Sequence, residues 1–83
     1  MKNLADDIEN FIVRQLLLDE EDQIFVQRNE LADRLSCAPS QISYVLSTRF
    51  TPERGYIVDQ NNKKYNYLFV GFYKRKYHKD TPF

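Results

Sequence analysis

The sequence predicts a mainly α fold with a β-hairpin (α+β), in the arrangement of a winged helix-turn-helix. Three observations carry this reading. Between Arg28 and Ser47, apolar or small residues fall at Leu31, Ala32, Leu35, Cys37, Ile42, Val45 and Leu46, the pattern two steeply crossing helices require. From Gly55 to Phe72, two apolar and aromatic arms flank Asn61-Asn62, which reads as a hairpin. An amphipathic helical run precedes both.

The first helix is expected over Leu4 to Leu18. Asn3 suits its N-cap, and Asp6 and Asp7 suit its positive end. Leu4, Ile8, Phe11, Ile12 and Leu16 recur at helical spacing. Asp19-Glu20-Glu21-Asp22 reads as a charged loop, because acids are unfavourable at a helix C-terminus. Ile24-Phe25-Val26 is short, β-branched and aromatic, and reads as a brief strand. Asn29 is expected to cap the second helix, with Leu31, Ala32 and Leu35 on its buried face. Ser36-Cys37-Ala38 is the turn. Pro39 opens the third helix, where its fixed φ and missing N–H do no harm. That helix runs to about Thr48, ahead of Thr51-Pro52. In the hairpin, Tyr56-Ile57-Val58 and Tyr65 to Phe72 are the arms, with Asn61-Asn62 at the tip. Residues 1–73 are read as one domain and 74–83 as a frayed basic tail.

Composition narrows the function classes. A chain of 83 residues has little room for an enzyme cleft. One His, one Cys and no glycine-rich loop exclude most nucleophilic, zinc and nucleotide-cradling motifs. No enzyme, cofactor or metal is therefore expected. The acids at 19–22 lack calcium-loop spacing. Cys37 occupies a packing position, and a lone thiol fits a reducing, cytoplasmic setting. No apolar run is long enough to span a membrane. Net charge is zero but strongly partitioned. Residues 1–33 carry nine acids and three bases, whereas residues 34–83 carry three acids and nine bases. Such asymmetry points to contact with nucleic acid or a membrane surface.

The third helix is the informative element. Ile42, Val45 and Leu46 form its buried stripe. At about 100° per residue the opposite face holds Ser40, Ser43, Tyr44 and Ser47, flanked by Gln41 and Thr48. All are hydrogen-bonding and none is acidic. Base edges offer donors and acceptors, while phosphates repel carboxylates, so this face suits double-stranded DNA. Gln41 is expected to pair with adenine, Tyr44 to reach a phosphate or thymine methyl, and Arg49 a phosphate or guanine. Lys63 and Lys64 flank the hairpin tip, where they suit phosphates or the minor groove. Val13 and Leu17, one turn apart, offer a small self-contact for a homodimer.

The run Pro39-Ser40-Gln41-Ile42-Ser43-Tyr44-Val45-Leu46-Ser47-Thr48-Arg49-Phe50-Thr51-Pro52-Glu53-Arg54-Gly55-Tyr56-Ile57-Val58 resembles the CtsR family. These are repressors of class III heat-shock genes in low-GC Gram-positive bacteria. Leu4-Ala5-Asp6-Asp7-Ile8-Glu9 is similar too, so the resemblance covers about residues 3–60. It implies a winged helix-turn-helix that binds operators as a dimer and represses stress-response genes, with a regulatory protein partner. It carries DNA contact onto Ser40, Gln41, Tyr44, Thr48 and Arg49, and onto Arg28 at the start of the second helix. Asn62 stands where the family's wing has an arginine. Lys63, Lys64, Tyr65 and Asn66 replace the glycines that follow it, and Tyr67 takes the family's tyrosine. Glycines let backbone enter a narrow groove; two lysines and a tyrosine do not fit so closely. The lost glycine wing and zero net charge favour an alternative: a winged module that binds a protein partner, or antagonises a full repressor, without touching DNA.

Overall fold

Asn3 caps the first helix as expected, its side chain accepting from the Asp6 N–H at 2.8 Å. In the computed structural model, which describes residues 3–62 and 66–73, this helix (α1) spans Leu4–Leu18. Ile8, Ile12 and Leu16, one turn apart, are fully buried. Asp19 ends α1 and folds the acidic loop by accepting the Glu21 N–H on its carboxylate at 2.8 Å. Leu17 and Leu18 stay exposed. Val13, half-buried, packs partly against the core, which leaves less of it beside exposed Leu17 for the anticipated self-contact.

The first strand (β1) spans Gln23–Gln27, one residue longer at each end than Ile24–Val26. The second helix (α2) is Arg28–Leu35. Its cap is Gln27 rather than Asn29: the Gln27 side chain accepts the Glu30 N–H at 2.8 Å. A longer side chain does the work assigned to Asn29 because β1 runs directly into the helix. Ser36, at φ 57, stops α2, and the Cys37 N–H donates back to the Ala32 carbonyl at 3.0 Å. The third helix (α3) spans Pro39–Arg49 with proline in its first turn. A short 3-10 turn, Pro52–Arg54, follows. Gly55 then takes φ 96, a left-handed conformation that suits glycine.

The last two strands are β2, Tyr56–Asn62, and β3, Tyr67–Phe72. The three strands form one antiparallel sheet in the order β1-β3-β2, with Ile24 opposite Val70 and Val58 opposite Val70 on its other side. Two details differ from the sequence reading. Asn61 and Asn62 belong to β2 and are not the tip; the pairing slips between Asp59 and Asn62, and Asn62 lies opposite Tyr67. Among the described residues that flank the connection, Asn66 has a positive φ, at 58°. Lys63 and Lys64, and the tail at 74–83, lie outside the described residues.

The core joins all these elements. Ile8, Ile12 and Leu16 meet Leu31 and Ala32 of α2, Ile42, Val45 and Leu46 of α3, and Leu68 and Val70 of β3. Phe50 closes it, edge-on to Tyr56 at 4.6 Å between ring centroids. Ala32 is 1% exposed, so a methyl group is all that fits where α2 faces α3. Cys37 packs beside this core, and burial pushes its thiol pKa up. Among the described residues no helix is long and apolar enough to cross a membrane. This packing presents one face of α3 outward, with the turn end of the β2–β3 hairpin tied to the start of α2.

Candidate nucleic-acid interface

Burial of Ile42, Val45 and Leu46 turns the rest of α3 to solvent. Ser40, Gln41, Tyr44, Ser47 and Thr48 are exposed and Ser43 is half-buried. Tyr44, 65% exposed, is the largest side chain on this face. The helix has no acid in its first turn and ends on a basic residue.

Two of these side chains also serve the helix. Gln41 Oε1 accepts the Ala38 N–H at 2.9 Å, satisfying the backbone donor of the cap residue itself. The Gln41 amide NH₂ takes no part in that bond and is open to a ligand. Paired recognition of adenine uses both the oxygen and the nitrogen, and Oε1 keeps a second lone pair after accepting the Ala38 N–H. Thr48 Oγ1 donates to the Tyr44 carbonyl at 2.8 Å and keeps only its acceptor capacity.

Both arginines expected at DNA are held by the protein. Arg49 Nη1 bonds the carboxylates of Asp6 and Glu9, the latter at 2.8 Å. The Asp6 bond, then the Glu9 bond, push its pKa further up. Arg54 supports the cluster, lying 3.7 Å from Glu9 Oε2 and donating to the Arg49 carbonyl at 3.3 Å. Arg49 thereby fastens the end of α3 to the first turns of α1. Arg28 Nη1 donates to Asn66 Oδ1 at 2.9 Å, and Nη2 to the Gln60 carbonyl at 3.4 Å. It therefore joins the start of α2 to the hairpin. Arg28 and Arg49, both read from the sequence as DNA contacts, thus also hold elements of the fold together. Of the wing residues, Asn62 ends β2 opposite Tyr67, and Lys63 and Lys64 lie outside the described residues.

Sequence reasoning does not single out Asp6, Glu9, Gln60 or Asn66 as site residues. The Arg28–Asn66 and Arg49–Asp6 pairs span 38 and 43 residues of chain, too far apart for any local pattern to announce them. Asn66 alone carries a signal, since asparagine tolerates positive φ. Among the described residues no group of three or more His, Cys, Asp or Glu side chains could hold a metal ion.

Comparison with known proteins finds the same fold and sequence elsewhere. The model of the CtsR N-terminal HTH domain matches residues 3–70, which extends the resemblance past residue 60 and through most of the hairpin. The transcriptional regulator CtsR of Geobacillus stearothermophilus is 40% identical over 76 residues, covering 92% of this chain and 50% of its own length. That of Bacillus subtilis (strain 168) is 42% identical over 68 residues, covering 82% and 44%. A crystal structure of CtsR in complex with a 26-base-pair DNA duplex is similar with a TM-score of 0.79 at 39% identity, covering 87% of this chain and 48% of that one. The chain thus spans about half the length of the curated relatives it matches.

Proposed function

The chain belongs to the CtsR family, and from that premise we propose that it binds double-stranded DNA as the reading head of a transcriptional repressor of stress genes. The observation that carries the proposal is the outward face of α3. It combines exposed Ser40, Gln41, Tyr44, Ser47 and Thr48 with half-buried Ser43 and has no carboxylate. A helix laid in the major groove must offer hydrogen bonds to base edges and no negative charge to flanking phosphates. An ordinary solvated helix face is rich in Glu and Lys, and this one has neither. The relative of similar fold that was crystallised with a DNA duplex supports the same reading.

In this reading Tyr44 lies at the centre of the base contacts, Gln41 donates to a base acceptor, and the serines and Thr48 hold register. The chain acts in the cytoplasm and works as a homodimer on repeated half-sites, since a lone module of this size covers few base pairs. A regulatory protein partner would act on that assembly.

The test selects duplexes from a random pool and measures affinity for the best and for a scrambled sequence. Wild type should prefer the selected duplex, and Tyr44→Ala should lose most of that preference. Equal affinity for both duplexes in wild type and variant would overturn the proposal.

One observation favours a second reading. The sheet surface facing away from the core exposes Phe25, 61% accessible and stacked on Tyr67 with centroids 4.9 Å apart, and Ile57, 42% accessible. A protein partner could cover it. In that case the chain should show no preference among duplexes.

A further inference from the structure

Among the described residues, three bonds from Arg28 reach the hairpin. The Arg28 backbone N–H donates to the Asn66 carbonyl at 2.8 Å. Its Nη1 donates to the Asn66 side chain at 2.9 Å and its Nη2 to the Gln60 carbonyl at 3.4 Å. Gln60 lies on β2 and Asn66 just before β3, so one guanidinium grips both sides of the wing. The grip falls where the strand ladder is broken, between Asp59 and Asn62. A carbonyl in such a slip lacks its regular partner across the ladder, and Arg28 supplies one. Arg28 Nε is buried with no hydrogen-bond partner, so the head group is drawn into the protein rather than offered to solvent. Asn66 adopts φ 58, which aims its carbonyl and its side chain at the same arginine.

We propose that Arg28 is a positioning residue: with Asn66 and Gln60 it clamps the wing to the start of α2 and fixes the wing's pose beside α3 before DNA arrives. This rests on the DNA-binding reading above. A wing already ordered in the free protein need not be ordered on binding, and that saving appears as affinity. A fork is required, because one lysine ammonium is a single point charge and cannot match both acceptors in the same geometry.

The informative variants change no charge. Asn66→Gly keeps the left-handed conformation comfortable and removes only the side-chain acceptor. Arg28→Lys keeps the cation and loses the fork. Each should weaken binding to a selected duplex roughly ten-fold and leave the slope of log affinity against log salt unchanged. The double variant should be no weaker than either single one, because both break the same link. If Arg28 instead neutralises a phosphate, Asn66→Gly and Arg28→Lys should bind like wild type and Arg28→Ala should lower the slope by about 0.9; that result overturns the clamp. Hydrogen exchange on the free chain tests the clamp without DNA. Both variants should speed exchange several-fold at the amides of Gln60, Asn62 and Tyr67 and spare those of Ile42 and Val45. Unchanged exchange at the wing overturns the proposal even if wild type binds no duplex, whereas absent binding by wild type with accelerated exchange in the variants counts against the DNA reading alone.

Discussion

Gln41 serves two roles through two atoms. Its Oε1 accepts the Ala38 N–H and so stabilises the start of α3, while its NH₂ is free to donate. Substitution can separate these roles. Gln41→Glu keeps an acceptor and puts negative charge near the positive end of the helix, which favours folding. The same charge repels phosphate. Gln41→Glu should therefore melt no lower than wild type yet bind the selected duplex at least ten-fold more weakly. Gln41→Ala loses the cap, worth about 1 kcal/mol, and some base discrimination, about 1–3 kcal/mol. Wild-type binding by Gln41→Glu would exclude Gln41 from the interface. Tyr56 gives a second test at this scale. Burial, then the charge of Glu9, raise its pKa above the ordinary 10.0, with Arg54 opposing. The folded state thus holds this proton more tightly than the unfolded state. Its contribution to stability is complete below pH ~10 and is lost as pH rises through the folded pKa. Tyr56→Phe keeps the ring between Phe50 and Phe72 and should flatten the fall in urea midpoint above pH ~10. An equal fall in both proteins would remove Tyr56 as a cause. Single residues on α3 were readable in the sequence because helical period alone decides which way they face. The internal bonds of Arg28 and Arg49 were not, because their partners, amide and carbonyl oxygens for one and carboxylates for the other, lie far away in the chain.

Helices were legible as elements wherever buried positions recur within one segment. Ile8, Ile12 and Leu16 set α1 to the residue, and Ile42, Val45 and Leu46 set the face of α3. Sheet pairing was less so. Ile24-Phe25-Val26 reads as a strand, yet nothing local says that it lies against β3, since Ile24 and Val70 meet only in the fold. The hairpin tip was misplaced for a related reason: two asparagines in a row signal a turn, but the slip after Asp59 lets β2 absorb them, and Asn66 has a positive φ. What the pattern did expose is the closeness of α2 and α3 at Ala32. A larger side chain there must push the helices apart. Ala32→Leu should cost about 1–3 kcal/mol, which for a domain of this size lowers the thermal midpoint by roughly 4–24 °C. Because α3 moves with the strain, DNA affinity should fall even at temperatures where the variant is folded. A variant as stable as wild type would show that this packing is looser than its burial implies.

Charge is arranged on the scale of the whole molecule. The first 33 residues carry a net −6 and the remaining 50 a net +6. Four of the acids form the loop from Asp19 to Asp22, whereas two others, Asp6 and Glu9, pair with Arg49 at the end of α3, with Arg54 close to Glu9. That pairing removes carboxylate charge from beside the proposed reading face. It also takes Arg49 out of the supply of free cations. In the proposed reading the wing adds attraction to phosphate through Lys63 and Lys64, which fall between β2 and β3 in the chain. Every phosphate that a variant no longer neutralises should reduce the magnitude of the salt slope by about 0.9. Lys63→Ala combined with Lys64→Ala should thus flatten the slope by up to about 1.8 and weaken selected and scrambled duplexes alike, leaving the preference set by α3 intact. If the wing reads the minor groove, preference should instead fall mainly at A·T-rich flanks. If the chain meets a protein rather than DNA, neither slope nor preference should move. One salt titration of wild type and double variant on two duplexes separates these cases. The clamp at Arg28 sharpens the expectation, because it fixes to α2 the strand ends that carry the two lysines between them. Asn66→Gly, which changes no charge, should weaken binding without flattening the slope, and the lysine variant should do both.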